Sequence, residues 1–369
     1  MSSMPLLSRS PRLRRTPFST RVEAAGAKAY TVYNHMLLPS VFASIEEDYA
    51  HLKSAVQVWD VAGERQVELV GPDAERLLQL TTPRDLGPMA NDQLYYLPLV
   101  DETGGMLNDP LAIRLAPDRF WVSLADTDML LYYKGLANGL RLDVRVFEPD
   151  VSPLAIQGPK ANKLAERVFG REVVDTAFFR YRWVEFGGQP MLIARSGWSL
   201  QGGFEIFVEG TEHGEPLWDA LFEAGRDLDV RAGGPNGIER IEGGLLSFGS
   251  DMTMEHSPFE AGLERFCNLD RATDCLGHAA LLGRQHPNRQ IRPLEVAGSP
   301  LAPLEHHWRL TSELGQPVGQ ISSAAWSPDF ETNVAIGMVN AEFYAPGTQL
   351  VALTPDGPRE VIVRDKFWV

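Results

Sequence analysis

The chain has 369 residues, 44% of them hydrophobic and 22% charged, with a formal net charge of −15 at pH 7. That length predicts a large core divided over two or three domains. The acidic balance argues against a broad nucleic-acid footprint, which needs clustered Lys and Arg. Two cysteines, Cys267 and Cys275, come without C-x-x-C spacing or a histidine set, so reduced thiols are expected rather than a disulfide or a metal site. Arg9, Arg12, Arg14 and Arg15 precede no apolar run, and no segment approaches the roughly 18 uninterrupted apolar residues of a membrane span. The expected compartment is the cytoplasm, with no membrane partner. Residues 1–16 read as a flexible arm that orders from about Pro17.

Apolar residues three and four apart predict a helix over Phe42–Leu52, and Val56–Val70 reads as strand material broken by Gly71-Pro72. A helix over Asp73–Leu80 follows, then strands over Tyr95–Val100, Ala112–Leu115 and Phe120–Leu124, then a helix over Asp126–Gly139. Beyond Pro149 the pattern gives strands over Leu154–Gln157 and Ala177–Phe186, with helices over Asn162–Phe169, Glu215–Leu228 and Arg240–Phe248. After about Gly283, short β-like runs alternate with Pro and Gly: Leu294–Ala297, Trp308–Thr311, Val318–Ile321, Ala335–Val339, Gln349–Leu353 and Val361–Val363. The order predicts an α+β fold with a C-terminal β domain, not a doubly wound sheet.

Two segments stand out chemically. Arg195–Phe207, R-S-G-W-S-L-Q-G-G-F-E-I-F, combines glycines, a tryptophan and a glutamate in one strand–loop–strand. Gly197, Gly202 and Gly203 would let the backbone approach a flat ligand closely. Trp198 offers a π face to a cation and Glu205 a carboxylate to paired N–H donors. The simpler alternatives are a packed tryptophan and a solvated strand face, since alternation turns Glu205 away from Phe204 and Ile206. Gly104–Pro110, G-G-M-L-N-D-P, can project Asp109 into a cleft or be only a hairpin turn. His306, His307 and His286 lack partners at metal-ligand spacing, so no metal is expected. P-loop, H-E-x-x-H, G-x-S-x-G and dinucleotide fingerprints are absent.

Nine segments in order add a resemblance: R-T-P-F (15–18), W-D-V (59–61), V-G-P-D-A (70–74), G-G-M-L-N-D (104–109), Q-G-P (157–159), R-S-G-W-S with G-G-F-E-I (195–206), E-R-I-E-G-G-L (239–245), F-G-S-D-M (248–252) and I-S-S-A-A-W-S-P (321–328). Together they resemble the glycine-cleavage T-protein (aminomethyltransferase) family from Pro17 to the C-terminus. The N-terminal T-P-F-S-T-R-V-E-A-A-G and the V-D-E-T-G-G-M-L-N-D-P turn are similar to its branch of sulfonium demethylases, which act on dimethylsulfoniopropionate. The resemblance implies a three-domain, cloverleaf-like fold around a central site for tetrahydrofolate. The expected division is 17–55 with 145–235, 56–144 with 236–283, and 284–369. The implied reaction moves a methyl group from a small onium compound to N5 of tetrahydrofolate, giving 5-methyltetrahydrofolate. Another onium or betaine donor, an aminomethyltransferase-type reaction giving methylenetetrahydrofolate, and a non-catalytic folate-binding module remain as alternatives. A homodimer is compatible.

By the same resemblance Asp109 is the catalytic residue, an acidic side chain near N5 that stabilises charge there or relays its proton. Trp198, Phe207, Phe18 and Tyr33 line the onium pocket, and Glu205, Asn108, Tyr96, Arg240 and Trp326 contact the folate. Phe207 stands where that branch carries a substrate-facing tyrosine, so restoring the hydroxyl is expected to improve use of the sulfonium. Asn236 stands where aminomethyltransferases carry a folate-contacting arginine, for which Arg231 or Arg240 could substitute. The substrate's carboxylate has no assigned partner; Arg15, Arg21 and Lys28 are the cations of the matching N-terminal region.

Overall fold

The structure, a computed structural model, describes residues 10–369. Three β assemblies carry it. A six-stranded sheet runs in the order Tyr181–Phe186, Gln189–Ala194, Gly203–Glu209, Val151–Gln157, Val56–Asp60, Val230–Gly233, antiparallel except for the last pair. A five-stranded antiparallel sheet runs Arg145–Phe147, Gln66–Val70, Arg119–Ser123, Leu111–Ala116, Leu94–Tyr96. Residues from Arg289 onward close a six-stranded barrel, as the Pro- and Gly-punctuated runs predict.

Strand Gly203–Glu209 is buried along nearly its whole length and divides its side chains between two environments. Phe204, Ile206 and Val208 enter the core formed with helices Ser19–Ala24, Ala161–Phe169 and Gly214–Ala224. Full burial of each such side chain contributes roughly 1.5–3 kcal/mol. Glu205 and Phe207 point to the opposite face. There Phe207 joins Leu192, Ala194 and Tyr181 against Leu94, Ile113 and Trp121 of the five-stranded sheet, forming the apolar seam between the sheets.

Several expectations shift. The chain is already held before Pro17: the Arg14 amide donates to the His35 carbonyl at 2.8 Å, and the Arg14 guanidinium pairs with Glu148. The first nine residues of the expected arm lie outside the described residues. Val56–Asp60, assigned by sequence to the second unit, pairs instead with Leu154–Gln157 of the first sheet. The expected helix 240–248 is observed as Gly237–Glu242. Asn236 starts it by accepting from the Ile238 and Glu239 amides, and Gly243 with positive-φ Gly244 ends it. Leu99–Val100, within the predicted strand Tyr95–Val100, pairs across the Gly-Gly turn with Met106–Asn108, and a further hairpin pairs Met36–Val41 with Ala29–Tyr33. In that further hairpin the chain reverses between the two strands through Asn34 and His35, both with positive φ.

Two of the three glycines of the outstanding loop make close approaches to protein. A Cβ on Gly203 (φ +152°) would sit 2.1 Å from the Ile156 carbonyl oxygen, and one on Gly197 (φ +147°) 2.1 Å from the Gln157 side chain. Gly202 (φ +73°) has nothing within 4 Å. Gly203→Ala should therefore cost well over about 1 kcal/mol of unfolding free energy. Gly202→Ala should cost only the left-handed backbone penalty, about 1–2 kcal/mol. Urea unfolding of the two variants checks the ranking; equal losses would contradict it.

Candidate active site

Gln157 of the Q-G-P segment organises the loop that presents the site. Fully buried, it donates to the carbonyls of Ser196 (3.3 Å) and Phe204 (3.4 Å) and accepts from the Ser199 hydroxyl at 2.8 Å. This fixes Ser196, whose hydroxyl donates to Glu205 Oε2. Among the described residues, no hydrogen bond reaches the other oxygen of Glu205. Burial pushes the Glu205 carboxyl above its ordinary range, and Ser196 partly offsets the shift. The expected solvated strand face is thus a buried one.

Two further carboxylates come within electrostatic reach from other elements. Glu64, in the turn after Val56–Asp60, accepts from the Ser123 hydroxyl at 3.2 Å. Gln66 holds that serine, donating to its oxygen at 2.7 Å. Burial first, then the charges of Glu205 and Asp109, raise the Glu64 carboxyl well above its ordinary range, against the opposing hydrogen bond from Ser123. Asp109 follows strand Met106–Asn108 and accepts from the Tyr96 hydroxyl at 2.9 Å. Burial lifts it to about 7, against the opposing effect of Tyr96.

Tyr33 completes the group from the first hairpin. Its side chain lies beside Gly63, where an added Cβ would be 3.5 Å away. Burial, then the charges of Glu64, Asp109 and Asp126, keep its phenol neutral. Asn34 anchors that hairpin through the carbonyls of Gly63 (3.0 Å) and Ala125 (3.1 Å) and an amide donation to Asp126 at 2.7 Å.

Other expected site residues are engaged elsewhere. Asn108, fully buried, donates to the Ala125 carbonyl (3.0 Å) and the Thr127 hydroxyl (2.7 Å) and accepts from the Ala125 amide at 3.0 Å. It positions the Asp109 turn and has no donor left for a ligand. Phe18 is 0% exposed in the main core, 6.4 Å from the Trp218 ring, so it lines no pocket. Phe207 is 1% exposed with its ring 6.1 Å from Trp121, inside the seam. Period-two alternation put it on the Glu205 face, but two residues along, where the sheets meet. Arg240 donates to Asp251 and to the Ser323 hydroxyl, both at 2.6 Å, tying its helix to the barrel. Its guanidinium also sits 5.9 Å from the half-buried Trp198 ring, so a resident cation covers part of that π surface. Trp326 is half-buried on barrel strand Pro317–Ser327, beside Ser327, whose hydroxyl donates to Glu242 at 2.5 Å.

Of the cations proposed for the substrate carboxylate, Arg15 pairs with Glu23, Arg21 with Asp219 and Lys28 with the Ala43 carbonyl. Asn236 is an N-cap, and Arg231 pairs with Asp229 at 3.2 Å. The residue that sequence reasoning missed is Glu64. Its only signal was an acid in a turn, which is ordinary for a surface loop. Among the described residues no group of three or more His, Cys, Asp or Glu side chains could hold a metal, and no helix is long and apolar enough to cross a membrane.

Two sheets and a barrel around a buried acid cluster match models of known domains. Residues 18–271 match the GCVT N-terminal domain, and 289–368 match the glycine cleavage T-protein C-terminal barrel domain. The chain belongs to the glycine cleavage T-protein family. It is 58% identical to dimethylsulfoniopropionate demethylase DmdA of Ruegeria pomeroyi, covering 97% of this chain and 98% of that one. An aminomethyltransferase of Desulfitobacterium hafniense is 27% identical over 96% and 95% of the two chains. In fold, the chain superposes on the aminomethyltransferase T of Bartonella henselae with a TM-score of 0.87 at 23% identity, covering 97% and 98%.

Stability should report the buried acids. An acid whose folded pKa is raised binds more protons folded than unfolded, so stability falls as pH rises from about 4.3 through the folded value. Glu64→Gln mimics the protonated form and should shrink the loss of unfolding free energy between pH 5 and pH 8. An unchanged pH 5 to pH 8 difference in denaturant titrations would contradict the upward shift of Glu64.

Proposed function

We propose that the chain is a tetrahydrofolate-dependent demethylase that moves a methyl group from a small sulfonium compound, dimethylsulfoniopropionate, to N5 of tetrahydrofolate. One observation carries this reading: Asp109, lifted to about 7 by burial, and the buried Glu205 lie on different elements and both act on Glu64. It is supported by the nearly full-length similarity to the Ruegeria pomeroyi demethylase. The free oxygen of Glu205 suits a pair of pterin N–H donors, which a carboxylate can accept together.

Tetrahydrofolate supplies the accepting nitrogen. The S–CH₃ bond breaks with its electron pair remaining on sulfur, leaving a neutral thioether, while the nitrogen lone pair forms the new N–CH₃ bond. The positive charge moves from sulfur to nitrogen, and the nitrogen's proton leaves to Asp109. Tyr96 holds Asp109 in place for that transfer. A neutral leaving group needs no general acid at sulfur, so the protein's work is alignment and electrostatics. Neutral Tyr33 and the negative field of Glu205 and Asp109 hold a cation without offering a strong nucleophile. Trp198 can contribute only the part of its ring that Arg240 leaves open. Phe207 acts behind this surface as packing, so Phe207→Tyr buries a hydroxyl and is expected to lower stability by about 1–3 kcal/mol rather than improve turnover.

The accepting form of Asp109 is the ionised one, so kcat should rise with pH through about 7 and level off above it. Asp109→Asn should remove that rise and lower kcat by about 10²–10⁴-fold. Incubation with dimethylsulfoniopropionate and tetrahydrofolate should yield 5-methyltetrahydrofolate. Methylenetetrahydrofolate formed with an aminomethyl donor would replace this reading with an aminomethyltransferase. Folate binding without turnover of any onium compound would replace it with a binding module.

A further inference from the structure

The short helix Gly237–Glu242 carries, besides Arg240, a second side chain turned toward the Trp198 loop. Glu239 is 1% exposed, and its Oε1 accepts from the Leu200 amide at 2.7 Å and from the Gln201 side chain at 3.2 Å. Its other oxygen is buried and has no hydrogen-bond partner among the described residues. Gly243, at the end of the helix, seats Leu200 closely: a Cβ there would lie 2.4 Å from the leucine Cδ1.

The loop is thus gripped on both sides of Trp198. Gln157 binds the Ser196 carbonyl at 3.3 Å and the Ser199 hydroxyl at 2.8 Å. Glu239 binds Leu200 and Gln201, and the Gln201 amide turns back onto the Ser199 hydroxyl at 3.3 Å. Among the described residues no hydrogen bond holds the Trp198 indole itself, so its place follows from these anchors. The helix that supplies Glu239 is a firm base. Its Glu242 accepts from the Tyr49 and Ser327 hydroxyls, and its Arg240 is fixed by Asp251 and Ser323.

A buried carboxylate is a costly way to pack a loop. Burial raises the Glu239 carboxyl, against the hydrogen bonds from Leu200 and Gln201; Glu242 adds to the rise and Lys53 opposes it. The unpartnered oxygen adds a desolvation penalty of its own. A leucine at 239 could pack on Leu200 without either cost. What leucine cannot supply is direction: an oxygen that accepts from two donors sets where residues 200 and 201 stand. We propose that Glu239 is a positioning residue for the methyl donor's site: through Leu200 and Gln201 it holds the open part of the Trp198 ring where the onium cation is received. The proposal rests on the demethylase reading above and on the part of the ring that Arg240 leaves uncovered. Cation–π attraction needs the cation within about 6 Å of the ring, so a loop that slips loses the contact.

The test measures KM and kcat with dimethylsulfoniopropionate and the anaerobic affinity for tetrahydrofolate, with unfolding midpoints recorded for every variant. Glu239→Leu should raise the donor's KM about tenfold, while kcat stays within about twofold and tetrahydrofolate affinity is unchanged. Glu239→Gln keeps an acceptor for the Leu200 amide and should hold KM within about twofold of the wild type. Glu239→Asp withdraws the oxygens by one methylene, so it should raise KM in the same direction, and it serves if the leucine variant does not fold. Trp198→Ala should itself raise KM, and adding Glu239→Leu to it should raise KM no further, because the effect passes through that ring. An unchanged KM in the leucine and aspartate variants, an equal loss of tetrahydrofolate affinity, or a full additional loss on top of Trp198→Ala would overturn the assignment. So would an unchanged KM for Trp198→Ala alone. If the wild-type protein demethylates no sulfonium donor, the demethylase reading itself fails, and this proposal with it.

Discussion

Strand Gly203–Glu209 imposes the constraint on which the site depends. Its alternate side chains must satisfy an apolar core on one face, which pins the strand and leaves Glu205 nearly buried on the other. Burial then does the chemical work. In water Glu205, Glu64 and Asp109 would be three ordinary carboxylates. Where the sheets meet, desolvation raises all three, the charges of Glu205 and Asp109 raise Glu64 further, and the separate hydrogen bonds from Ser196, Ser123 and Tyr96 set them apart.

That arrangement suits a reaction in which positive charge moves but is not created. A cationic methyl donor is drawn to a site whose net charge is negative, and the same field steadies the charge when it reaches nitrogen. Asp109 differs from Glu64 in having a phenol donor at its oxygen and a value near neutrality, which suits the proton transfer proposed for it.

The sequence announced the fold class well. The C-terminal barrel strands were visible as alternating runs, because each is short, apolar on one face and bounded by Pro or Gly. Ordered motifs also pointed to Asp109 and Glu205. What stayed illegible was direction and engagement. Residue type made Phe18 and Phe207 candidates for a cation pocket, but whether a ring faces a cavity or a core depends on the opposing sheet or helix, which no local pattern encodes. Asn108 and Arg240 sit in suggestive motifs, yet both are engaged by partners 17 and 11 residues away. The loop glycines accommodate Gln157 and the Ile156 carbonyl, a contact across strands. Glu64 could not be singled out at all, since its environment arises only when Ser123, Glu205 and Asp109 come near it from other elements.

The most direct measurement is a crystal structure of the protein with tetrahydrofolate bound. The account predicts the pterin's N–H donors on the Glu205 carboxylate and N5 within about 2.6–3.2 Å of Asp109, directly or through one water. A pterin bound away from Glu205, or N5 pointing away from the Asp109–Tyr96 pair, would contradict it.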